Sequence, residues 1–303
     1  MTVVDESERV EARPRLRWWR EVLYTVALYG VYSTVRNQFG SAGGPALQAN
    51  GIAYGHALDI IGIQRALGSY FEPGLQRWYL DLPAHGFVEF WNVFYGTVHF
   101  LVTAFALIWL YRRDKDRYPL WRNTLAGTTV FALVGFASFS LMPPRLLDEP
   151  QERFGPPASV NDERAEHGDF VDTLAEYRTF WSFDSGTLKN ISNQYAAMPS
   201  LHIAWSVWSV LVLLPMVRRR WLKGLVALHP VATLFCIVVT ANHYWLDAVG
   251  GLVTLAVGYA GGRALVALWA RHRSPIAGQP NRPAVVPTVG EQPILAAGPD
   301  AKP

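Results

Sequence analysis

Charge and cysteine are both scarce in this chain of 303 residues. Charged residues make up 17% of it, whereas soluble domains average about 25%, and this deficit favours a membrane protein. The single cysteine, Cys236, lies inside an apolar run, so the chain has no internal disulfide framework and no metal site built from several cysteines. The sequence shows no internal repeat, and we expect no nucleic-acid partner.

Apolar sequence is abundant, since half of the residues are hydrophobic and 12 are tryptophan. The apolar residues are concentrated in runs close to the roughly 20 residues that a helix needs to cross a bilayer core. The runs cover residues 18–35 and about 86–111, 120–142, 200–217, 222–241 and 244–268. The sequence therefore predicts an all-α polytopic membrane bundle of about six transmembrane helices.

The polar segments divide the rest of the chain. Residues 1–17 predict a flexible cytoplasmic tail, residues 18–273 a membrane-embedded domain, and the Pro-, Ala- and Gly-rich residues 274–303 a disordered cytoplasmic tail. Within the domain, residues of about 50–82 are too polar to span and predict one or two interfacial helices. Residues 143–198 contain more acidic than basic residues and predict a long extracytoplasmic loop. The first apolar run has no small-residue cleavage site directly after it, which favours an uncleaved signal anchor.

Lysine and arginine occupy alternate connections between the runs, which sets the expected orientation. These connections carry Arg13, Arg15, Arg17 and Arg20, then Arg112, Arg113, Lys115 and Arg117, then Arg218, Arg219, Arg220 and Lys223, and finally Arg271 and Arg273. By the positive-inside rule they are cytoplasmic. We therefore expect a plasma-membrane protein with both termini inside and with the acidic loop outside.

Two segments place a histidine at the predicted outer end of an apolar helix: NQYAAMPSLHIAWS (193–206) and ANHYWLDAVGG (241–251). Ionisable groups in membrane spans are costly and are functional candidates by default. His243 and Asp247 are four residues apart, which puts them on one helix face. A carboxylate that holds one imidazole nitrogen frees the other as a nucleophile or base. The topology brings His202 to the same membrane face from a different helix.

Pro199 and Ser200 open the helix that carries His202. Proline suits a first helical turn because its missing N–H would be unpaired there. The free amides of that turn, with the Ser200 hydroxyl, predict a phosphate seat. Ser200 could instead be a plain helix cap.

These motifs resemble two signatures of the type 2 phosphatidic acid phosphatase superfamily. MPSLH is similar to its second signature and HYWLDAVGG to its third. Leu201 stands where glycine is usual, and Cys236 and Ile237 stand where the family has a Ser-Arg pair. Both departures resemble the inositol phosphorylceramide synthase branch, whose members transfer phosphoinositol between lipids. The superfamily as a whole hydrolyses lipid phosphates.

The resemblance implies a membrane phosphatase or phosphotransferase domain that needs no metal or other cofactor. It implies that His243 attacks phosphorus and forms a phosphohistidine, that Asp247 orients it, and that His202 serves as acid and then base. It further implies that the substrate is a lipid phosphate and that the acceptor is water or an inositol or sugar hydroxyl. The family's first signature supplies cations, and its nearest match is Met142-Pro143-Pro144-Arg145. Arg145 and Arg36 are therefore the candidate phosphate ligands beside Ser200.

Each of these residues also has a structural interpretation. His202 could cap a helix end, the His243–Asp247 pair could be structural or could bind a metal with His202, and both arginines could anchor helices at the headgroups. The stripe Asn92, Tyr95 and His99 is explained by interhelix hydrogen bonds or by substrate contact.

The glycines and the acidic loop leave further questions open. Gly250 and Gly251 favour close helix packing over catalysis. The aromatic stretch FWSFDSG (180–186) could cover the site as a lid. A simple lipid phosphatase and a non-catalytic lipid-binding or transport protein are the alternative functions, although the repeats and broken helices expected of a transporter are missing from the sequence.

Overall fold

Helices account for the regular structure of the chain. The computed structural model describes residues 16–38, 46–150, 154–157, 167–177 and 194–273. Most of the predicted N-terminal tail, all of the predicted C-terminal tail and the FWSFDSG stretch lie outside these ranges.

The described residues form nine α-helices and no strand, which confirms the predicted all-α class. The helices are α1 (Trp18–Gln38), α2 (Ala46–Ala66), α3 (Glu72–Leu80), α4 (Val88–Arg113), α5 (Tyr118–Ser138), α6 (Thr173–Glu176), α7 (Leu201–Leu213), α8 (Arg220–Val239) and α9 (Trp245–Arg273). Two short 3₁₀ turns, Pro83–Phe87 and Pro144–Leu146, precede α4 and follow α5. One isolated bridge between Leu141 and Ala196 is the extent of β pairing in the described part of the chain.

Each of the six predicted apolar runs forms a helix, and three of the helices are long and apolar enough to cross a membrane. These are Pro83–Arg113, which includes α4, together with α8 and Trp245–His272 of α9. Helix α7 is apolar but has 13 residues, which at 1.5 Å per residue is about 20 Å, short of a bilayer core of roughly 30 Å. The architecture is that of a helical membrane bundle. The packing described below lies in the compact unit that ends at Val266; residues from Ala267 onward belong to a second unit.

The bundle core is formed where α4, α5 and α7 meet. Ala106, Ala132 and Ala204 are all fully buried, and small residues at such positions allow helix backbones to approach closely. Trp208 of α7 fills the space beside them, and its indole N–H donates to the carbonyl oxygen of Trp121 at 2.9 Å. Side-chain packing thus fixes α7, the helix that carries His202.

A second core lies between α2 and three connecting loops. Its α2 members recur at helical spacing, as Ala53, Tyr54, Ala57, Leu58 and Ile61, which is the pattern of a helix with one buried face. They pack against buried residues of the loops after α5, before α7 and before α9. Two helices, α2 and α3, therefore fill the segment that the sequence predicted as interfacial, and α2 supports the loops that carry the two histidine motifs.

One end of the bundle gathers several basic connections. Arg122 of α5 donates to both carboxylate oxygens of Glu21 in α1, at 2.9 and 2.8 Å. The Tyr111 hydroxyl donates to the Leu16 carbonyl oxygen at 3.2 Å, and Arg117 donates to the carbonyl oxygen of α7 residue Leu211 at 3.3 Å. The start of α1, the end of α4, the start of α5 and the end of α7 therefore lie at the same end of the molecule.

Candidate active site

The first histidine motif enters α7 through a tight turn. Ser200 is fully buried, and its backbone N–H donates to the backbone carbonyl oxygen of Asp247 at 2.9 Å. Glycine in α9 permits this approach, because a Cβ on Gly251 would lie 2.3 Å from the Ser200 carbonyl oxygen. A Cβ on Gly250 would meet Met198 at 3.3 Å, a milder crowding. The two motifs are thus joined directly through their backbones.

The second motif follows a chain reversal at the end of α8. Ala241 has a φ of 51°, in the left-handed region that residues with a Cβ seldom adopt. The backbone N–H groups of Asn242 and His243 both donate to the carbonyl oxygen of Ile237, at 3.0 and 3.1 Å. These bonds fix the direction in which the His243 side chain leaves the turn.

Asp247 contacts His243 as expected, but His243 lies in the turn before α9 and not on the face of that helix. His243 Nδ1 lies 3.2 Å from Asp247 Oδ2, and the same oxygen accepts the Tyr244 backbone N–H at 3.0 Å. His243 is 3% exposed and Asp247 is 0% exposed. Because the carboxylate engages Nδ1 as a donor, Nε2 is the nitrogen with an available lone pair.

His202 lies beside His243. The two ring centroids are 5.3 Å apart and the rings are inclined at 64°. The structure therefore brings together four of the residues singled out in the sequence: Ser200, His202, His243 and Asp247.

Unpaired polar atoms are concentrated at this point. In the described parts of the chain, the buried side-chain atoms without a hydrogen-bond partner include Ser200 Oγ, His243 Nε2 and Asp247 Oδ1. The others are Gln64 Oε1, His99 Nδ1, Arg145 Nε, Trp205 Nε1 and His229 Nε2. Buried polar groups are normally paired, so the three unpaired atoms of the two motifs indicate a place where a polar ligand binds.

Helix α4 contributes two aromatic neighbours from the polar stripe, for which the sequence left both interhelix hydrogen bonding and substrate contact open. The Tyr95 ring stacks on His202 at a centroid distance of 4.3 Å and an angle of 17°, and the His99 ring is 4.1 Å from His202. Asn92 instead donates to the Thr173 carbonyl oxygen at 2.8 Å and accepts from its hydroxyl at 2.9 Å. The polar stripe on α4 therefore divides into a structural residue and two residues that contact His202.

Arg145 is fixed close to the second motif. Its backbone N–H donates to the Ala241 carbonyl oxygen at 2.8 Å, and its guanidinium donates to the side chains of Asp172 and Gln194. Arg145 is 8% exposed, and its Nε is unpaired among the described residues. The Arg36 backbone belongs to α1, whereas its side chain lies outside the described part of the structure.

Two apolar residues, Cys236 and Ile237, occupy the positions where the resembled superfamily has a Ser-Arg pair. Cys236 and Ile237 are both fully buried near the end of α8. The Cys236 thiol contacts the Trp91 carbonyl oxygen at 3.2 Å, and the Ile237 carbonyl accepts the two amide bonds that hold the turn before His243. These two residues shape the backbone of the site and place no cation there.

Glu72, at the start of α3, contacts the helix that carries Asp247. It is fully buried, and it accepts the backbone N–H of Trp245 at 3.1 Å, the side-chain amide of Gln64 and the Phe71 N–H at 3.0 Å. Burial raises the pKa of the Glu72 carboxyl above its usual value. In sequence, Glu72 is one of the charged residues of the segment of about 50–82 that is too polar to span. Its partner Trp245 is the first residue of α9, which makes Glu72 a support for the start of that helix.

Metal ligation by the two histidines and Asp247 is the competing interpretation of these side chains. Within the described ranges, no group of three or more His, Cys, Asp or Glu side chains is placed to hold a metal ion.

Comparison with known families gives one match. The family model described as the PAP2 superfamily matches residues 58–261, which include both histidine motifs. Comparisons with curated proteins and with solved structures find no match.

Proposed function

The chain belongs to the PAP2 superfamily, and we propose that its lipid phosphatase or phosphotransferase chemistry is carried out by His243, His202 and Asp247. Membership of the superfamily and the three apolar helices make it an integral membrane enzyme that acts on phosphate groups. One observation carries the residue assignment. His243 is held at Nδ1 by a buried carboxylate, has an unpaired Nε2, and lies beside a second histidine.

The proposed reaction has two steps. His243 Nε2 forms a bond to phosphorus while the bond from phosphorus to the leaving oxygen breaks, and His202 donates a proton to that oxygen. An acceptor hydroxyl then attacks the phosphohistidine, His202 removes the acceptor's proton, and the nitrogen–phosphorus bond breaks. The Asp247 carboxylate stabilises the positive charge on the His243 ring while the phosphoryl group is attached.

Three groups support charge stabilisation on the phosphoryl oxygens. The Ser200 hydroxyl is buried and unpaired among the described residues, and it lies at the amino end of α7, where the helix dipole favours an anion. The unpaired Nε–H of Arg145 is a further donor. Such fixed donors stabilise a transition state without reorganisation. Arg36 stays a candidate from its place near the end of α1.

Transfer to an alcohol is the proposed outcome rather than simple hydrolysis. Leu201, Cys236 and Ile237 carry the likeness to the inositolphosphotransferase branch. The alternative outcome is phosphate release from a polyprenyl or phosphatidate-type lipid.

The site is proposed to face outward from the plasma (cytoplasmic) membrane, with both chain termini inside. The gathering of basic connections at one end of the bundle supports this orientation through the positive-inside rule. The two histidines lie at the amino ends of α7 and α9, whereas Arg117 contacts the carboxyl end of α7.

A substrate panel tests the function. We expect purified wild-type protein to act on lipid phosphates and to transfer their phosphoryl group to added inositol or sugar. Activity should be lost in His243→Ala and in His202→Ala. The exposed His272 gives the matched control, His272→Ala. Radioactive phosphate on a base-stable, acid-labile site in wild type but not in His243→Ala would identify the phosphohistidine. Activity that survives His243→Ala refutes the assignment, and phosphate release without acceptor dependence favours the phosphatase.

The same panel separates the histidine mechanism from metal catalysis and from lipid binding without turnover. Inhibition by vanadate without sensitivity to chelators is expected of the histidine mechanism, whereas loss of activity in chelator would support metal binding. Binding of lipid phosphates without turnover of any of them would favour the non-catalytic protein.

A further inference from the structure

A large apolar cavity lies between α1, α4 and α5. Its volume is about 650 Å³. Hydrocarbon and aromatic side chains form most of its wall, among them Leu28, Leu107 and Leu125. The cavity is outside the histidine site and has no part in the chemistry proposed above.

The cavity begins one aromatic layer away from His202. Phe100 and Trp205 line it, and their rings contact each other edge to face at 5.5 Å. The Phe100 ring is 3.9 Å from His99, which in turn lies 4.1 Å from His202. A molecule bound at the histidines is therefore separated from the cavity by this one layer of rings.

The length of the cavity matches one hydrocarbon chain. On α4 the lining runs from Phe100 to Arg112, a rise of about 18 Å at 1.5 Å per residue. Half of a bilayer core is roughly 15 Å, so the cavity accommodates about the length of one leaflet's chain.

The polar groups at the two ends differ. At the far end, Glu21 is already paired with Arg122 and with the Tyr118 hydroxyl, and the Arg112 side chain also lines that end. At the near end, the Trp205 indole N–H is a donor with no partner in the described ranges. Trp205 is three residues after His202 on α7, hence on the same helix face.

From these observations we propose that the cavity is the subsite for one hydrocarbon chain of the lipid phosphate, with Trp205 donating to the ester or amide oxygen next to that chain. The inference rests on the proposed function, since it places the phosphate of the same lipid at His243. The enzyme thereby selects lipids by chain length, with the tail directed away from the histidines toward the basic end of the bundle.

A filling substitution tests the subsite. Ala104 lines the cavity, and Ala104→Phe shortens the space for a chain. We expect kcat/KM for hexadecyl phosphate to fall at least tenfold while that for butyl phosphate changes less than twofold. Ala256→Phe, on an exposed position of α9 outside the lining of this cavity, is the matched control and should change neither. Equal effects of Ala104→Phe on both substrates, or no effect on either, would overturn the proposal.

The proposed hydrogen bond from the Trp205 N–H is tested separately, by Trp205→Phe. Trp205→Phe keeps a ring but removes the N–H, so KM should rise several-fold for a diacyl phosphatidate and stay unchanged for hexadecyl phosphate. A similar rise for both lipids would mean that the ring, not the N–H, makes the contact, and would overturn this part.

Photolabelling separates failure of the subsite from failure of the function. The full chain with His243→Ala is placed in phosphatidylcholine nanodiscs with hexadecyl phosphate that carries a terminal diazirine. We expect labels on the cavity walls of α1 and α4, displaced by unlabelled hexadecyl phosphate. Labels spread over the exposed faces, or labels that hexadecyl phosphate does not displace, identify bulk lipid and overturn the proposal even if the enzyme is active.

Discussion

Replacement of Asp247 by asparagine separates the charge of this residue from its shape. The wild-type Oδ2 accepts two hydrogen bonds, from His243 Nδ1 at 3.2 Å and from the Tyr244 N–H at 3.0 Å. An asparagine whose oxygen occupies the same place keeps both bonds and loses only the negative charge. The fold should therefore survive, and a change in rate reports on the stabilised charge of the His243 ring.

The expected loss follows from two ways in which the amide can be oriented. With its oxygen toward the ring, a charge-assisted hydrogen bond becomes a neutral one, a loss of about 2 kcal/mol, or about 30-fold in kcat. With its NH₂ toward the ring, Nδ1 must accept and Nε2 carries the proton, so the nucleophile is lost and the cost approaches about 10⁴-fold, as in serine protease triads. We expect Asp247→Asn to fall between these limits.

The assay is single-turnover formation of the phosphoenzyme, measured together with the thermal unfolding midpoint. Asp169→Asn is the matched control, because the Asp169 side chain is 98% exposed and lies outside the site. If Asp247→Asn keeps more than half of the wild-type rate with an unchanged midpoint, Asp247 does not stabilise the His243 ring and the proposed mechanism is wrong.

Three further predictions concern the supports of the site. Glu72→Ala leaves the buried backbone amide at the start of α9 unpaired, so we expect about 1–3 kcal/mol lower stability and a lower kcat in lipid turnover, with both recovered in part by Glu72→Gln. Gly251→Ala puts a Cβ 2.3 Å from the Ser200 carbonyl oxygen, so its activity and unfolding midpoint should drop well below those of Gly250→Ala; equal behaviour would argue against the close contact. Arg145→Lys keeps the charge but loses the planar fork, so KM for a lipid phosphate should rise about tenfold or more, and an unchanged KM would limit Arg145 to a structural role.

Much of the site could be predicted because its residues are near one another in sequence or at similar helix ends. The four-residue spacing keeps His243 and Asp247 close even though His243 lies in the turn before α9, and alternation of the apolar runs brings His202 to the same end. The six apolar runs likewise locate six helices, because burial in lipid demands long apolar helices whatever their neighbours are.

The roles of Glu72, Tyr95 and His99 could not be predicted, because they depend on contacts with residues that are distant in sequence. Glu72 pairs with a backbone amide 173 positions away, and no local pattern marks a carboxylate for such a partner. Tyr95 and His99 have the spacing of any polar stripe on a helix, and only the position of α7 assigns them to His202. The polar composition of α2 predicted an interfacial helix. The loops that its buried face contacts have no periodic pattern, so this packing could not be predicted from the sequence.

The backbone bond between the Ser200 N–H and the Asp247 carbonyl oxygen has a consequence for how this enzyme can diverge. It joins the two ends of one stretch of chain, residues 200–247, which contains the proposed nucleophile, its carboxylate and the proposed acid–base histidine. The cavity walls come mainly from α1, α4 and α5, earlier in the chain. Under the proposed hydrocarbon subsite, substitutions there would change the preferred lipid while the histidine motifs stay the same.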